Sequence, residues 1–255
     1  MSAIIGRAVR ASAGLAVAAV VFVAPVFADD AALRERIEGR MSKAGLAERG
    51  QIEVSVTSGA AVLSGFTTTV EARSQAEKAA RKETKDVDNR LQVVPVPRSD
   101  EEIRDAVSDA VLGYVYYGVF DSVGVVVQDG MVTLQGSVLQ PWRKDELERR
   151  VARLEGVRAV QNQIRVQPAS PLDDRLRRQL YARIYGNGLF ERFASLSNPP
   201  VHIVVENGNI TLTGLVNSRV EKVVLESIAR ETLAFRVDNR VQIESEIGKE
   251  PAPKS

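Results

Sequence analysis

The sequence has no cysteine, one histidine and one tryptophan among its 255 residues. Without cysteine, the chain cannot form disulfides, thiolate metal sites or a thiol nucleophile. The single histidine, His202, cannot complete the common zinc ligand sets, which need further histidine or cysteine ligands. It lies in the run Val-His-Ile-Val-Val, so we expect a strand residue that faces solvent or has a hydrogen-bond partner. The sequence predicts no metal site and no cofactor.

Sequence motifs for phosphate chemistry and for paired-acid catalysis are also missing. Gly186-Asn187-Gly188 lacks the preceding strand and the following lysine of a phosphate-binding loop. Asp173 and Asp174 are adjacent acids, but they begin a predicted helix, where carboxylates offset the helix dipole. The sequence therefore predicts a protein that is not an enzyme.

The sequence also lacks a large excess of charge of either sign, since it has 34 basic and 33 acidic residues and a formal net charge of +1. Residues 1–28 carry Arg7, Arg10 and no acid, so their removal changes the charge to −1. No strong positive field then attracts nucleic acid, and no nucleic-acid partner is predicted.

Residues 1–28 have the pattern of a secretory signal peptide. Arg7 and Arg10 form a basic start, Ala11–Val23 is apolar but short for a membrane span, and Val26-Phe27-Ala28 offers a small-residue cleavage site. Cleavage after about Ala28 predicts a periplasmic or otherwise exported protein. An uncleaved membrane anchor is the alternative.

One eight-residue pattern occurs three times, over residues 58–65, 129–136 and 207–214. Its two glycines stand at the same spacing each time, and a helical pattern and a Val-x-Asn follow. A repeat of about 70–80 residues exceeds the length of solenoid repeats, so it indicates three copies of one small domain. The motif residues are Gly59, Gly65, Asn89, Gly130, Gly136, Asn162, Gly208, Gly214 and Asn239.

The chemistry of this motif is mainly structural. Asp-Gly and Asn-Gly favour a type I′ hairpin turn, in which both central residues have positive φ. The apolar alternation that follows predicts a strand and places the second glycine on its buried face. We expect the backbone of the following helix to cross close to that glycine.

The order of helical and strand patterns predicts an α+β protein of three tandem αββαβ domains. Each domain is expected to be a small mixed three-stranded sheet packed against two helices. The predicted domains cover residues 29–94, which is the most degenerate copy, 99–167 and 172–244. Proline-bounded linkers separate them, and residues 245–255 are expected to be a flexible tail.

The Gly-x-Val-x-Leu-x-Gly core, the helix and the Val-x-Asn-x-Ile-x-Val strand resemble the BON domain, named for bacterial OsmY and nodulation proteins. The resemblance covers nearly all of the chain after residue 28, most closely over 103–166 and 176–243. It implies an αββαβ fold, export to the periplasm or cell envelope, and binding to phospholipid or envelope surfaces. It implies no enzymatic activity.

A tryptophan beside two cations, in Pro141-Trp142-Arg143-Lys144, begins a predicted helix. A Trp ring suits the headgroup region of a bilayer, and each nearby cation adds about 1 kcal/mol at an anionic surface. The alternative is that Trp142 packs on its own or a neighbouring domain and that the cations are merely solvated. The predicted lipid- or surface-binding residues are Trp142, Arg143, Lys144, Arg149 and Arg150.

Apolar groups follow the first helix of the second and third domains and predict a hydrophobic docking patch for lipid, peptide or a protein partner. The alternative is that they cap the local core or pack the second domain on the third. The residues are Tyr116, Tyr117, Phe120, Leu189, Phe190 and Phe193.

Two functions follow from these patterns. The first is peripheral association with a phospholipid or envelope surface. The second is a periplasmic interaction or chaperone-like module that holds a protein client, or associates with itself, without lipid affinity.

Overall fold

A computed structural model describes residues 24–196 and 198–247. Most of the predicted signal peptide, residues 1–23, and most of the predicted tail, residues 248–255, lie outside the described residues, so both predictions stay untested. The described chain forms three consecutive α+β domains, each with two helices and one small mixed sheet. The predicted fold class is therefore confirmed.

The elements follow the predicted order. The first domain contains α1 (Ala24–Lys43), β1 (Gly50–Thr57), β2 (Ala60–Thr67), α2 (Val70–Arg81), β3 (Val87–Asn89) and β4 (Gln92–Val93). The second contains α3 (Asp100–Leu112), β5 (Ser122–Gln128), β6 (Met131–Val138), α4 (Pro141–Val151) and β7 (Ala159–Val166). The third contains α5 (Pro171–Tyr185), β8 (Val201–Glu206), β9 (Asn209–Val216), α6 (Arg219–Arg230), β10 (Arg236–Asn239) and β11 (Gln242–Ile243). Short 3-10 turns cover Leu46–Glu48, Glu191–Phe193 and Glu244–Glu246.

In every sheet the second strand is central. It pairs antiparallel with the first strand through the hairpin and parallel with the last strand, which returns after the second helix. The last strand is continuous in the second domain but is interrupted in the first and third, where β3 and β4, and β10 and β11, pair with the same neighbour. Each sheet is therefore mixed.

The apolar faces of the helices and strands pack together in three separate cores. In the second domain, Ile103, Val107 and Val111 recur every four residues along α3 and pack with Leu134 of β6 and Leu147 of α4. Each fully buried aliphatic side chain contributes about 1.5–3 kcal/mol of burial free energy. The core of the first domain instead uses alanines along α2, so its helix approaches the sheet with smaller side chains.

The hairpin turns have the predicted type I′ geometry. The first central residues, Ser58, Asp129 and Asn207, have φ of 52°, 51° and 51°, and the glycines that follow them also have positive φ. Serine therefore adopts the same conformation as Asp and Asn in the degenerate first copy.

A buried or half-buried aspartate holds each of these turns, and the sequence did not predict this role. In the third domain, the carboxylate of Asp173 accepts hydrogen bonds from the backbone N–H groups of Asn207 (2.9 Å) and Gly208 (2.8 Å). Asp30 and Asp100 bind the two turn N–H groups of their own domains at 2.8–2.9 Å. The first helix of each domain is thus fastened to its hairpin, in addition to any effect on the helix dipole.

The expectation for the second glycine was wrong in two respects. Gly136 is only half-buried, and Gly65 is exposed. The backbone close to each glycine belongs to the adjacent antiparallel strand rather than to the following helix: a Cβ on Gly136 would lie 2.1 Å from the Ser122 carbonyl oxygen, and φ is +119°. The positive φ interrupts the strand alternation from which burial was inferred.

The repeated asparagine ties the last strand to the second helix. In the second domain, Asn162 donates from Nδ2 to the Lys144 carbonyl (3.0 Å) and to Glu148 (2.9 Å), and its Oδ1 accepts from the Ile164 N–H (3.1 Å). Asn89 and Asn239 make corresponding bonds to α2 and α6. The motif therefore has a structural role in all three copies.

Candidate interaction surface

Exposed aromatic rings lie where α3 ends and α4 begins. Gly113 caps α3, and Pro141 occupies the first turn of α4, so Trp142 projects from a helix start. Tyr116 is 58% exposed and Trp142 45% exposed, and their ring centroids are 5.2 Å apart. Leu112, at the end of α3, and Val115, which follows it, are 51% and 78% exposed. We call these two residues, together with the rings of Tyr116 and Trp142, the α3–α4 surface.

Neighbouring side chains of the second domain hold the two exposed rings in place. Tyr114 is buried and contacts Tyr116 and Trp142 edge to face, with centroid distances of 5.7 and 6.4 Å. The Arg150 guanidinium lies 4.4 Å from the Tyr114 ring centroid, and that of Arg143 lies 5.3 Å from the Trp142 ring. Contacts within the second domain therefore give the exposed rings a defined orientation.

Arg143 is not the free cation that the sequence predicted. Its Nη1 lies 2.5 Å from Oδ2 of Asp121, whose side chain is fully buried. Asp121 also accepts hydrogen bonds from the N–H groups of Gly118 (3.0 Å) and Leu139 (2.9 Å). The positive charge of Arg143 is thus compensated inside the domain, and the arginine fixes the start of α4.

Two further predicted cations are also paired. Arg149 and Arg150 both contact the Glu146 carboxylate, at 2.8 and 3.4 Å. Lys144 is half-buried, and the described part of the chain gives it no salt bridge. Of the five residues predicted to contact lipid, Trp142 is exposed, and three arginines are engaged with carboxylates.

The predicted docking patch does not form a single surface. Tyr117 is buried, and its hydroxyl accepts a hydrogen bond from the Val123 N–H (3.0 Å). Burial raises the pKa of Tyr117 to about 12. Phe120 packs edge-on against Tyr181 of the third domain, with centroids 6.2 Å apart. The alternative interpretation, packing of the second domain on the third, accounts for both residues.

The apolar group of the third domain serves mainly its own core. Phe190 is fully buried, so its assignment to a docking patch was wrong. Phe193 packs partly against the same core beneath the Arg192 guanidinium, 4.4 Å from the ring centroid, and Leu189 is 36% exposed. The sequence pattern could not separate these buried rings from the exposed Tyr116.

The second and third domains meet along β8, and this contact contains the single histidine. Val119 inserts into the core of the third domain, and its carbonyl accepts from the Ile203 N–H at 2.7 Å. His202 is 7% exposed, lies 5.3 Å from the Tyr117 ring, and has Nδ1 3.3 Å from the Gly118 carbonyl oxygen. The expectation of a satisfied strand residue is confirmed, and burial lowers the pKa of His202.

A different contact joins the first and second domains. The Glu71 N–H, at the start of α2, donates to the carbonyl of Ala152 at the end of α4 (2.9 Å). The Glu71 carboxylate also lies 2.7 Å from Arg153. Val70 packs against the core of the second domain. The start of the second helix in one domain therefore docks on the end of the second helix in the next.

An ion pair joins the loop after the first helix to the start of the second helix in every domain, but its polarity changes. The first domain pairs Arg49 with Glu71 at 3.2 Å, and the third pairs Arg192 with Glu221 at 2.7 Å. The second domain reverses the charges, because the acid, Asp121, is on the loop and the base is on the helix.

Metal-binding and membrane-spanning features are not found in the described ranges. Within residues 24–196 and 198–247, no group of three or more His, Asp or Glu side chains is placed to hold a metal ion. Over the same ranges, no helix combines the length and apolarity needed to cross a membrane.

Comparison with known proteins agrees with the triplicate architecture. The model of the BON domain matches residues 29–95, 99–168 and 173–245. No curated protein matches the chain. Among solved structures, the C-terminal domain of CdsD, a structural protein of the type III secretion system of Chlamydia trachomatis, is 14% identical over 83% of this chain and 96% of its own, with a TM-score of 0.25. The PrgH periplasmic domain is 13% identical over 80% and 99%, with a TM-score of 0.22. The three tandem matches show that the chain belongs to the BON domain family.

Proposed function

We propose that this protein is an exported, non-enzymatic binding protein that holds a protein partner on the α3–α4 surface. The observation that carries the proposal is the exposed, oriented pair of Tyr116 and Trp142, with ring centroids 5.2 Å apart. Tyr and Trp are the residues that most often dominate binding energy at protein interfaces. The signal-like residues 1–28 and the family resemblance support export.

The electrostatics of the second domain favour a protein partner over a lipid surface. Residues 99–171 contain eleven acids and eight bases. The three arginines nearest Trp142 on α4 already contact carboxylates of the same domain. A membrane anchor of one shallow tryptophan is weak without free cations. A protein pocket that encloses both rings gains about 2 kcal/mol or more from each.

Peripheral binding to phospholipid is the second candidate. It is favoured by the half-exposed Trp142 ring next to Lys144, since this pairing of side chains is suited to the headgroup region. It needs an anionic surface, where one free lysine adds about 1 kcal/mol.

Site-specific photo-crosslinking tests the protein partner. A benzoylphenylalanine at Tyr116, in cells that express the full chain, is expected to give a discrete protein adduct that Trp142→Ala abolishes. The same crosslinker at Glu101, at the opposite end of α3, is the matched control and is expected to give none. Equal labelling from both positions, or no adduct from Tyr116, would contradict the proposal.

Fluorescence of the single tryptophan tests the lipid candidate. Trp142 emission is measured with phosphatidylglycerol vesicles and with phosphatidylcholine vesicles, at low and high salt. Protein binding without lipid affinity predicts the same emission maximum in all four conditions. A blue shift with phosphatidylglycerol that salt reverses would instead establish the phospholipid function.

A further inference from the structure

The contact between the first two domains provides a template for contacts of the other domains. The N-caps of the second helices are Thr69, Gln140 and Ser218. Counting from these caps, Glu71 of the first domain corresponds to Trp142 of the second. Glu71 is half-buried and contacts the second domain, whereas Trp142 is 45% exposed. The α3–α4 surface is therefore the docking face of the second domain, and no other domain docks on it among residues 24–196 and 198–247.

The receiving face can be located by the same correspondence. In the second domain it is the end of α4, where Ala152 is the C-cap and Arg153 follows. The C-cap of α6 is Glu231, so the corresponding loop of the third domain is residues 231–235. Within this loop Leu233 is 94% exposed and Phe235 is 81% exposed. Both faces of a second such contact are thus present and open.

The chemistry of the two open faces is matched. The contact inside the chain joins an acid to a base, Glu71 to Arg153. By the same count, Trp142 takes the position of Glu71 and Thr232 takes the position of Arg153, so the acid and the base are both replaced by uncharged residues. Glu231, at the start of the loop, contacts Arg183 of its own domain at 3.4 Å. A docking face with Trp142 in place of Glu71 would leave Arg153 of the second domain without its acidic partner. The same face suits the exposed apolar side chains of Leu233 and Phe235.

We propose that the α3–α4 surface of one copy docks on the loop 231–235 of a second copy of this chain. The contact is heterologous, because it joins two different faces, and it either closes as a reciprocal dimer or continues into larger assemblies. Two rings on one side and Leu233 and Phe235 on the other form a small interface, which predicts weak, concentration-dependent association. The inference depends on the proposed function, since it names the partner of the same surface.

The absence of native cysteine allows a direct test with the purified full chain. Asp145→Cys is exposed on α4, one turn after Trp142, and Glu231→Cys lies at the receiving loop. A mixture of the two variants treated with a short bismaleimide is expected to give a covalent dimer, whereas each variant alone gives none. Adding Leu233→Asp to the second variant should abolish the product, and adding Leu172→Asp, also an exposed leucine, should leave it unchanged.

Three results would overturn the inference. These are no dimer in the mixture, equal dimer from either variant alone, and sedimentation of the unmodified chain as a monomer at every concentration tested. The Tyr116 photo-crosslinking experiment separates the two proposals. A discrete adduct with a different protein, together with a monomeric purified chain, would refute self-association but preserve the interaction function.

Discussion

Replacing Asp121 by alanine tests the ion pair that positions Trp142. The substitution removes a buried carboxylate that contacts Arg143 at 2.5 Å and two backbone N–H groups at 2.9–3.0 Å. Breaking a buried ion pair by removing one partner costs about 3–5 kcal/mol. The Arg143 side chain keeps 19% of its surface exposed, so water partly solvates the released charge. We therefore expect a loss in the free energy of unfolding of about 3 kcal/mol.

Urea unfolding followed by Trp142 fluorescence measures this loss, because the only tryptophan reports on the affected domain. Asp105→Ala, an exposed acid on α3, is the matched control and should change the free energy of unfolding by at most about 0.5 kcal/mol. Asp121→Ala should also increase acrylamide quenching of Trp142, because the start of α4 loses its restraint. A loss under about 1 kcal/mol with unchanged quenching would refute the structural role assigned to this pair.

Three further substitutions test other parts of the fold. Gly136→Ala should destabilise the protein by at least about 2 kcal/mol in urea, because φ is +119° and the new Cβ would meet the Ser122 carbonyl oxygen at 2.1 Å. Gly124→Ala, where a Cβ finds ordinary contacts, is its control, and equal effects of the two would be evidence against the close approach. Burial lowers the pKa of His202 below its ordinary value of 6.5, so the unfolded chain binds a proton more readily, and stability should fall as pH drops below about 6.5. His202→Gln should reduce the change in the unfolding midpoint between pH 7.5 and pH 5. An unchanged pH dependence of the midpoint would show that another group is responsible. Asp173→Ala leaves two hairpin N–H groups without their acceptor, at a cost of about 1–3 kcal/mol each, and should accelerate their amide exchange; unchanged exchange would contradict the fastening role.

The repeat, the element order and the hairpin turns could be predicted from the sequence because they depend on local patterns. Asn-Gly and Asp-Gly specify positive φ at two adjacent residues, and the structure has it at each turn. The position of Gly136 could not be predicted from alternation, because alternation assumes a regular strand and this glycine interrupts it. The acids that hold the hairpins leave a weak signal, since each copy has an aspartate in its first helix, but at a different distance from the helix start: the first residue of α3, the third of α5 and the seventh of α1.

Exposure and pairing within the candidate site depend on tertiary contacts that the sequence does not encode locally. Asp121 precedes Arg143 by 22 residues, and no periodic pattern joins them. Phe190 and Tyr116 follow equivalent helices, yet Phe190 is fully buried and Tyr116 is 58% exposed, because the loop after α5 packs on the core of the third domain. The predicted position of Trp142 at a helix start is confirmed, but the ion pairs of the neighbouring arginines could be seen only in the structure.

The alternating polarity of the ion pair between loop and second helix has a consequence for folding. Three similar domains in tandem risk exchanging equivalent helices between neighbours during folding. If α2 and α4 exchanged places, the start of α4 would bring Arg143 to the loop that carries Arg49. The start of α2 would bring Glu71 to the loop that carries Asp121, so like charges would lie at the same end of each domain. The first and third domains share one polarity, but the second domain separates them in the chain. The charge reversal thus penalises misassembly between adjacent repeats and favours each helix returning to its own sheet.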